Sequence, residues 1–331
     1  MSGARGYRKG GMSWPRRRVV QTGVALVGVV AIAIGVIVYA TSSDRVGPLP
    51  VQLPSATGAY LGVYANDVPA SYANVSAFAS ATGTKPDVVM YYSGWFVPFP
   101  TSFAVTAAAN GAAPLVQIDP DKKGVTVTKI IAGKYDGYLS EYAEAVRQYG
   151  HPVILSFGHE MNGSWESWGY GHVAPKIFVA AWRHIVDLFR ALGARNVTWL
   201  WTVNIINNAG KGTTIPSPAP WWPGNSYVNW VGIDGYYLEP SWQFAPLFGP
   251  TIREVRALTD DPILIAETGA VPAANQPSKI TNLFGGIRSY GLLGFVWFNQ
   301  TDSSGKPFAI DTPAAIAAFR QGASSYHRPG G

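Results

Sequence analysis

The 331-residue chain is 47% hydrophobic and only 13% charged, with twelve Trp and no Cys. That length admits one large strand-and-helix barrel of about 250 residues, or two ordinary domains, and the absence of Cys excludes a disulfide framework. The formal charge of +6 is carried by Arg5, Arg8, Lys9, Arg16, Arg17 and Arg18, which leaves nineteen basic against nineteen acidic residues beyond them. A nucleic-acid partner would need a basic face on the folded part, and none remains.

Residues 1–18 read as a basic cytoplasmic tail. Val19 to Ala40 is an almost wholly apolar run, long enough as a helix to cross the roughly 30 Å hydrocarbon layer. The positive-inside rule puts its Arg-rich end in the cytoplasm and everything after Thr41 outside. The expectation is an uncleaved single-pass anchor, and so a membrane partner through this helix, with the working domain extracellular. The alternative is a cleaved signal peptide and a secreted domain, since Val38-Tyr39-Ala40 resembles a small-x-small cleavage site. Residues 41–58, with their prolines, serines and glycines, read as a linker.

From Tyr60 onward strand and helix patterns alternate. Candidate strands are Tyr60–Tyr64, Val88–Tyr92, Pro114–Ile118, Val153–Phe157, Val197–Thr202, Trp230–Ile233, Ile263–Ala266 and Gly294–Phe298. Helical spacing is clearest at Tyr138–Tyr149, Ala174–Leu192 and Ile252–Leu258. The second of these carries the stripe Ile177, Ala180, Ala181, His184, Ile185 and Leu188. Eight short, buried-type strands with helices between them predict an α/β fold, a single (β/α)8 TIM barrel over 59–321. No glycine-rich phosphate loop follows a strand. Residues 322–331 read as a disordered tail.

Active sites of such barrels lie at the C-terminal strand ends. The fourth strand delivers Gly158-His159-Glu160-Met161-Asn162-Gly163-Ser164-Trp165. A zinc-protease helix would need a second His where Gly163 stands, and no other His shows metal-ligand spacing, so no metal and no cofactor is expected. The seventh strand delivers Glu267. Strands four and seven face each other across a small barrel, so the two carboxyl groups can flank a glycosidic bond. Glycoside hydrolysis requires that arrangement: one carboxylic acid protonates the leaving oxygen while the other attacks the sugar or activates water. Environment must then separate the two pKa values. His159 and Tyr236 are the plausible tuning partners. Asp119 and Asp234 fit either substrate contact or buried hydrogen bonding, Trp95 fits sugar stacking or core packing, and Met161 reads as core.

The stretch His159-Glu160-Met161-Asn162-Gly163-x-Trp165 resembles the acid/base segment of glycoside hydrolase family 26, β-mannanase-like enzymes of clan A. Trp222-Pro223-Gly224-Asn225 through Asp234-Gly235-Tyr236 is similar to that family's sixth-strand motif, and Glu267-Thr268-Gly269 to its nucleophile strand. The resemblance covers about Tyr60 to Phe319. It implies Glu160 as general acid/base and Glu267 as nucleophile of a retaining endo-β-glycanase. It further implies a substrate-binding set of His159, Asn162, Trp165, Asn204, Tyr236 and Trp297, with Tyr236 holding Glu267 and the two Trp as sugar platforms. The implied substrate is a β-1,4-linked polysaccharide, mannan first, with β-1,3-1,4-glucan or xylan as alternatives and an inactive carbohydrate-binding barrel as the non-enzyme reading. A monomer is expected. Two departures stand out: Ser156 where family mannanases carry Arg, and Glu166-Ser167-Trp168 where they often read Tyr-Pro-Trp.

Overall fold

The computed structural model describes residues 53–206 and 215–326. The basic tail and the apolar run of 19–40 lie outside them, and among the described residues no helix is long and apolar enough to cross a membrane. The strands are β1 (Tyr60–Ala65), β2 (Val88–Gly94), β3 (Ala113–Asp119), β4 (Val153–Phe157), β5 (Val197–Asn204), β6 (Trp230–Asp234), β7 (Ile263–Thr268) and β8 (Gly294–Asn299). Each pairs in parallel with the next, and β8 closes on β1 with Tyr60 opposite Gly294 and Ala65 opposite Asn299. The expected barrel is therefore formed.

Strand alternation sorts the core into two clusters. Tyr60, Tyr64, Met90, Leu115, Ile154, Leu200, Trp230, Leu264, Val296 and Phe298 fill the inside. Val63, Tyr91, Val116, Leu155, Trp201, Ile233, Ile265 and Trp297 face the helices. Both faces are buried, which is why the strands read as continuous apolar runs. Gly232 has to be a glycine: a Cβ there would lie 2.7 Å from Thr202 Oγ1 and 3.0 Å from Ala266 Cβ.

The helices are α1 (Ala73–Thr82), α2 (Thr101–Ala109), α3 (Val127–Ile131), α4 (Asp136–Tyr149), α5 (Pro175–Ala191), α6 (Phe244–Arg256), α7 (Gln276–Ser289) and α8 (Pro313–Ser324). In α5 the buried face is Phe178, Ala181, Trp182, Ile185, Val186 and Phe189. It is turned slightly from the expected stripe because the three aromatics bury more apolar area than Ile177 or Ala180 could. Helix α6 begins at Phe244, well before the expected Ile252, and carries Pro250 internally. The chain end needs a correction. Residues 322–324 are helical, and Tyr326 is buried with its ring 5.0 Å from that of Phe284. The expected tail therefore packs as far as Tyr326, because an aromatic ring seated on the core gains more than the Gly/Ser composition suggests. Residues 327–331 lie outside the described residues.

Candidate active site

Strand β4 ends at Phe157, and two residues with left-handed backbone follow: Gly158 at φ 57° and Glu160 at φ 54°. Such a conformation is uncommon for a non-glycine residue, and strain of this kind clusters at functional sites. The turn is held from both sides. Gly158 N–H donates to the Ile118 carbonyl and Glu160 N–H to the Thr202 carbonyl, 2.9 and 3.0 Å. A Cβ at position 158 would come within 2.9 Å of Phe178 and 3.0 Å of Trp168.

Both oxygens of Glu160 are bonded. Trp165 Nε1–H donates to Oε2 and Asn204 Nδ2–H to Oε1, each at 2.6 Å. Gly163 makes the first contact possible, since a Cβ there would sit 2.3 Å from the Trp165 ring. The position a zinc protease would give to His is thus filled by the indole that reaches Glu160. Among the described residues no group of three or more His, Cys, Asp or Glu is placed to hold a metal ion.

Glu267 reaches the site by a different route. Pairing of β7 with both neighbours shifts register around Ile265 to Thr268, a bulge that turns the residue after Ala266 toward the mouth. Tyr92 on β2 donates its hydroxyl hydrogen to Oε1 at 2.5 Å, and Tyr236 beyond β6 donates to Oε2 at 2.7 Å. Burial pushes the Glu267 carboxyl above its usual range. The positive charge of His159 and the two phenol donors oppose this, while the charge of Glu160 adds to it. Burial and the charge of Glu267 push both phenols well above their usual value, so they remain donors.

His159 lies buried beside these groups, its Nδ1 2.9 Å from Asp119 Oδ1. Burial alone would lower its pKa, but the Asp119 carboxylate, with Glu160 and Glu267 behind it, raises it well above the ordinary value. Its ring centroid is 5.3 Å from that of Tyr92, which places a cation next to the ring holding Glu267.

The structure thus joins Glu160, Trp165 and Asn204 in one hydrogen-bonded set, and Glu267 with Tyr236 in another, with His159 between them electrostatically. Two expected sugar contacts are corrected. Trp297 is fully buried on the outer face of β8, its Nε1–H donating to the Phe308 carbonyl at 2.8 Å. Alternation aims its neighbour Phe298 inward instead, against Tyr64 and Tyr236. Asn162 is also fully buried, and both ends of its amide are used. Its Nδ2–H donates to the Asn204 carbonyl and its Oδ1 accepts from Asn204 N–H, 2.8 and 2.9 Å. It therefore positions Asn204, and through it Glu160. Sequence reasoning missed Tyr92, although it is in phase with the inward-facing Val88 and Met90. Trp95 and Met161 belong to the core.

Residues 52–270 match the sequence profile of glycosyl hydrolase family 26. The chain belongs to that family. Its fold is a closed (β/α)8 barrel, and both strand-end glutamates fall within the matched segment. Endoglucanase H of Acetivibrio thermocellus is 31% identical over 282 residues, covering 80% of this chain and 30% of that protein. Beta-1,3-xylanase TXYA of a Vibrio species is 28% identical over 178 residues, 50% of this chain and 36% of that one. The chain thus spans about a third of the length of these relatives. Among solved structures, a Cellulomonas fimi endo-β-1,4-mannanase double mutant superposes with a TM-score of 0.64 at 17% identity, covering 80% of this chain and 70% of that one. A family 26 β-mannanase from Bacteroides ovatus gives 0.59 at 19% identity, with 81% and 89% covered. At such identities these two speak for the fold.

Proposed function

We propose that the barrel hydrolyses a β-linked polysaccharide by retaining double displacement, with Glu267 as nucleophile and Glu160 as general acid and then base. The observation that carries this reading is the pair of buried carboxylates at the ends of β4 and β7, each bonded through both oxygens by separate donors. In the first step Glu267 attacks the anomeric carbon while Glu160 gives its proton to the departing glycosidic oxygen. In the second, Glu160 takes a proton from water, which attacks the same carbon and frees Glu267. Tyr92 and Tyr236 orient the nucleophile, and His159 supplies positive charge beside it.

The substrate proposed first is a β-1,4-linked mannan, cut endo-wise. Two observations favour β-glucan as a second reading. Ser156, inside the barrel, hydrogen-bonds Thr202 through the hydroxyls at 3.0 Å where the mannanase resemblance leads one to expect an Arg. The relative sharing 31% identity is named an endoglucanase. The apolar run of 19–40 supports a further proposal, that the barrel works outside the cell on a membrane tether. Hydrolysis of mannan, lichenan and xylan by wild type, Glu160→Ala and Glu267→Ala tests the catalytic assignment. Wild-type turnover of one polymer with loss in both variants is expected, and undiminished turnover by either variant would remove its glutamate from the mechanism.

A further inference from the structure

We propose that Phe96, with Lys122 and Asp121 beside it, is a distal stacking platform for the same polysaccharide chain; this rests on the catalytic reading above. Phe96 stands two residues beyond β2, at the barrel end that bears Glu160 and Glu267. Its backbone is left-handed at φ 70°, and the residue is 43% exposed. A bulky side chain in that region is an outlier, and here the strained conformation holds an apolar ring in water.

The surroundings fix the ring in place. It meets Trp95, Tyr135 and Tyr138 edge-on, with centroids 6.5, 5.6 and 5.3 Å away. Tyr138 donates its hydroxyl hydrogen to the Val97 carbonyl at 3.1 Å. Asp121 accepts from Trp95 N–H at 3.2 Å, tying the loop after β2 to the loop after β3. Lys122 Nζ lies 5.2 Å from the Phe96 centroid. A fixed, partly exposed ring with an ammonium group close by matches a β-linked sugar, which offers a C–H face for stacking and hydroxyls at its edge.

Continuity with the active site identifies the occupant. Tyr92, which holds Glu267, lies on the strand that leads to Phe96. Asp119, which holds His159, lies on the strand that leads to Lys122. The two loops therefore open on the same barrel mouth as the two glutamates, where a polymer longer than the catalytic centre can reach them. Neither strand-end motifs nor the hydrogen-bonded set around the carboxylates includes this patch.

The test uses full-length wild type, Phe96→Gly, Phe96→Asn and Phe96→Trp. Gly and Asn remove the ring while accepting the left-handed backbone, so the loop is kept, and a melting scan checks the fold. Substrates are manno- and mixed-linkage gluco-oligosaccharides of increasing length and the matching aryl β-disaccharides. The expected result is near-wild-type turnover of the aryl disaccharide and a loss of about tenfold in kcat/KM on long substrates, mainly through KM, with Phe96→Trp close to wild type. Equal loss on short and long substrates, or no loss on either, would overturn the platform while leaving the two glutamates in place. So would a Phe96-dependent self-association in sedimentation with unchanged length dependence. If Glu267→Ala keeps full activity on the aryl disaccharide, the catalytic reading fails first and separately.

Discussion

Glu160 and Glu267 are both buried and both bonded through each oxygen, yet the fold holds them by different means. Glu160 depends on backbone: two left-handed residues, a glycine that admits the Trp165 ring, and the reciprocal Asn162–Asn204 amide contact. Glu267 depends on side chains, since a bulge aims it and two phenols from β2 and the segment after β6 receive it. Loop geometry therefore governs the first carboxyl, and hydroxyl chemistry governs the second. Deleting single atoms should hurt the Glu267 side cleanly, whereas the Glu160 side should suffer most from changes that move the chain.

The largest effects come from the carboxyls themselves. Glu267→Ala should cost at least about 10^4-fold in kcat on any substrate. Glu160→Ala should cost roughly 10^2- to 10^4-fold on polysaccharide but far less on an aryl glycoside whose leaving group needs no proton. Equal losses on both substrate types would erase the distinction in roles.

Next come the phenols. Tyr92→Phe and Tyr236→Phe each remove a hydrogen bond to a carboxylate, and should lower kcat by about 10- to 100-fold with little change in melting temperature. They also sharpen the pH dependence. The wild-type Glu267 pKa is raised by burial, so activity is lost as pH falls through a value above the ordinary carboxylate range. The phenol donors oppose that shift, so removing either one moves the acid limb of kcat/KM to higher pH. A limb moving the other way would contradict the assigned hydrogen bonds.

On the Glu160 side, Gly163→Ala should displace the Trp165 ring and reduce kcat as much as Trp165→Phe does, which steady-state kinetics of the two variants can compare. Asn162→Ala should destabilise by about 1–3 kcal/mol in urea unfolding, because it orphans both Asn204 backbone groups. If its kcat on polysaccharide stays at the wild-type level, Asn162 does not position Glu160.

A smaller effect concerns His159. Its pKa is raised in the folded state by Asp119 after burial is overcome, so its contribution to stability is fully present below its unfolded value of about 6.5. That contribution is lost as pH rises through the raised folded value. Wild type should therefore exceed Asp119→Asn by roughly 1–3 kcal/mol near pH 6, with the gap closing under alkaline conditions. The smallest effect on activity belongs to Trp297→Phe. It should leave kcat within about twofold and cost only stability, about 1 kcal/mol for the lost hydrogen bond to Phe308.

Much of this was legible in sequence because the strands are buried on both faces. All eight were located, and Val153–Phe157 has the bounds expected of it. Two glutamates at opposed strand ends followed directly. What stayed hidden was orientation. Asn162 has the chemistry of a sugar ligand, and nothing in its neighbours shows that Asn204 consumes both ends of its amide. Trp297 matched an expected platform, but strand parity turns it outward while Phe298 points in. Tyr92 was lost for the opposite reason, because its contact depends on a bulge more than 170 residues away that no local pattern marks.

In the proposed double displacement Glu267, and not Glu160, becomes covalently bound to the sugar. A 2-deoxy-2-fluoro-β-glycoside with a good leaving group should trap that intermediate, and peptide mass spectrometry would locate it. Time-dependent inactivation is expected, with the fluoro-sugar on the peptide containing Glu267. A label on Glu160, or no label together with products of inverted configuration, would contradict it.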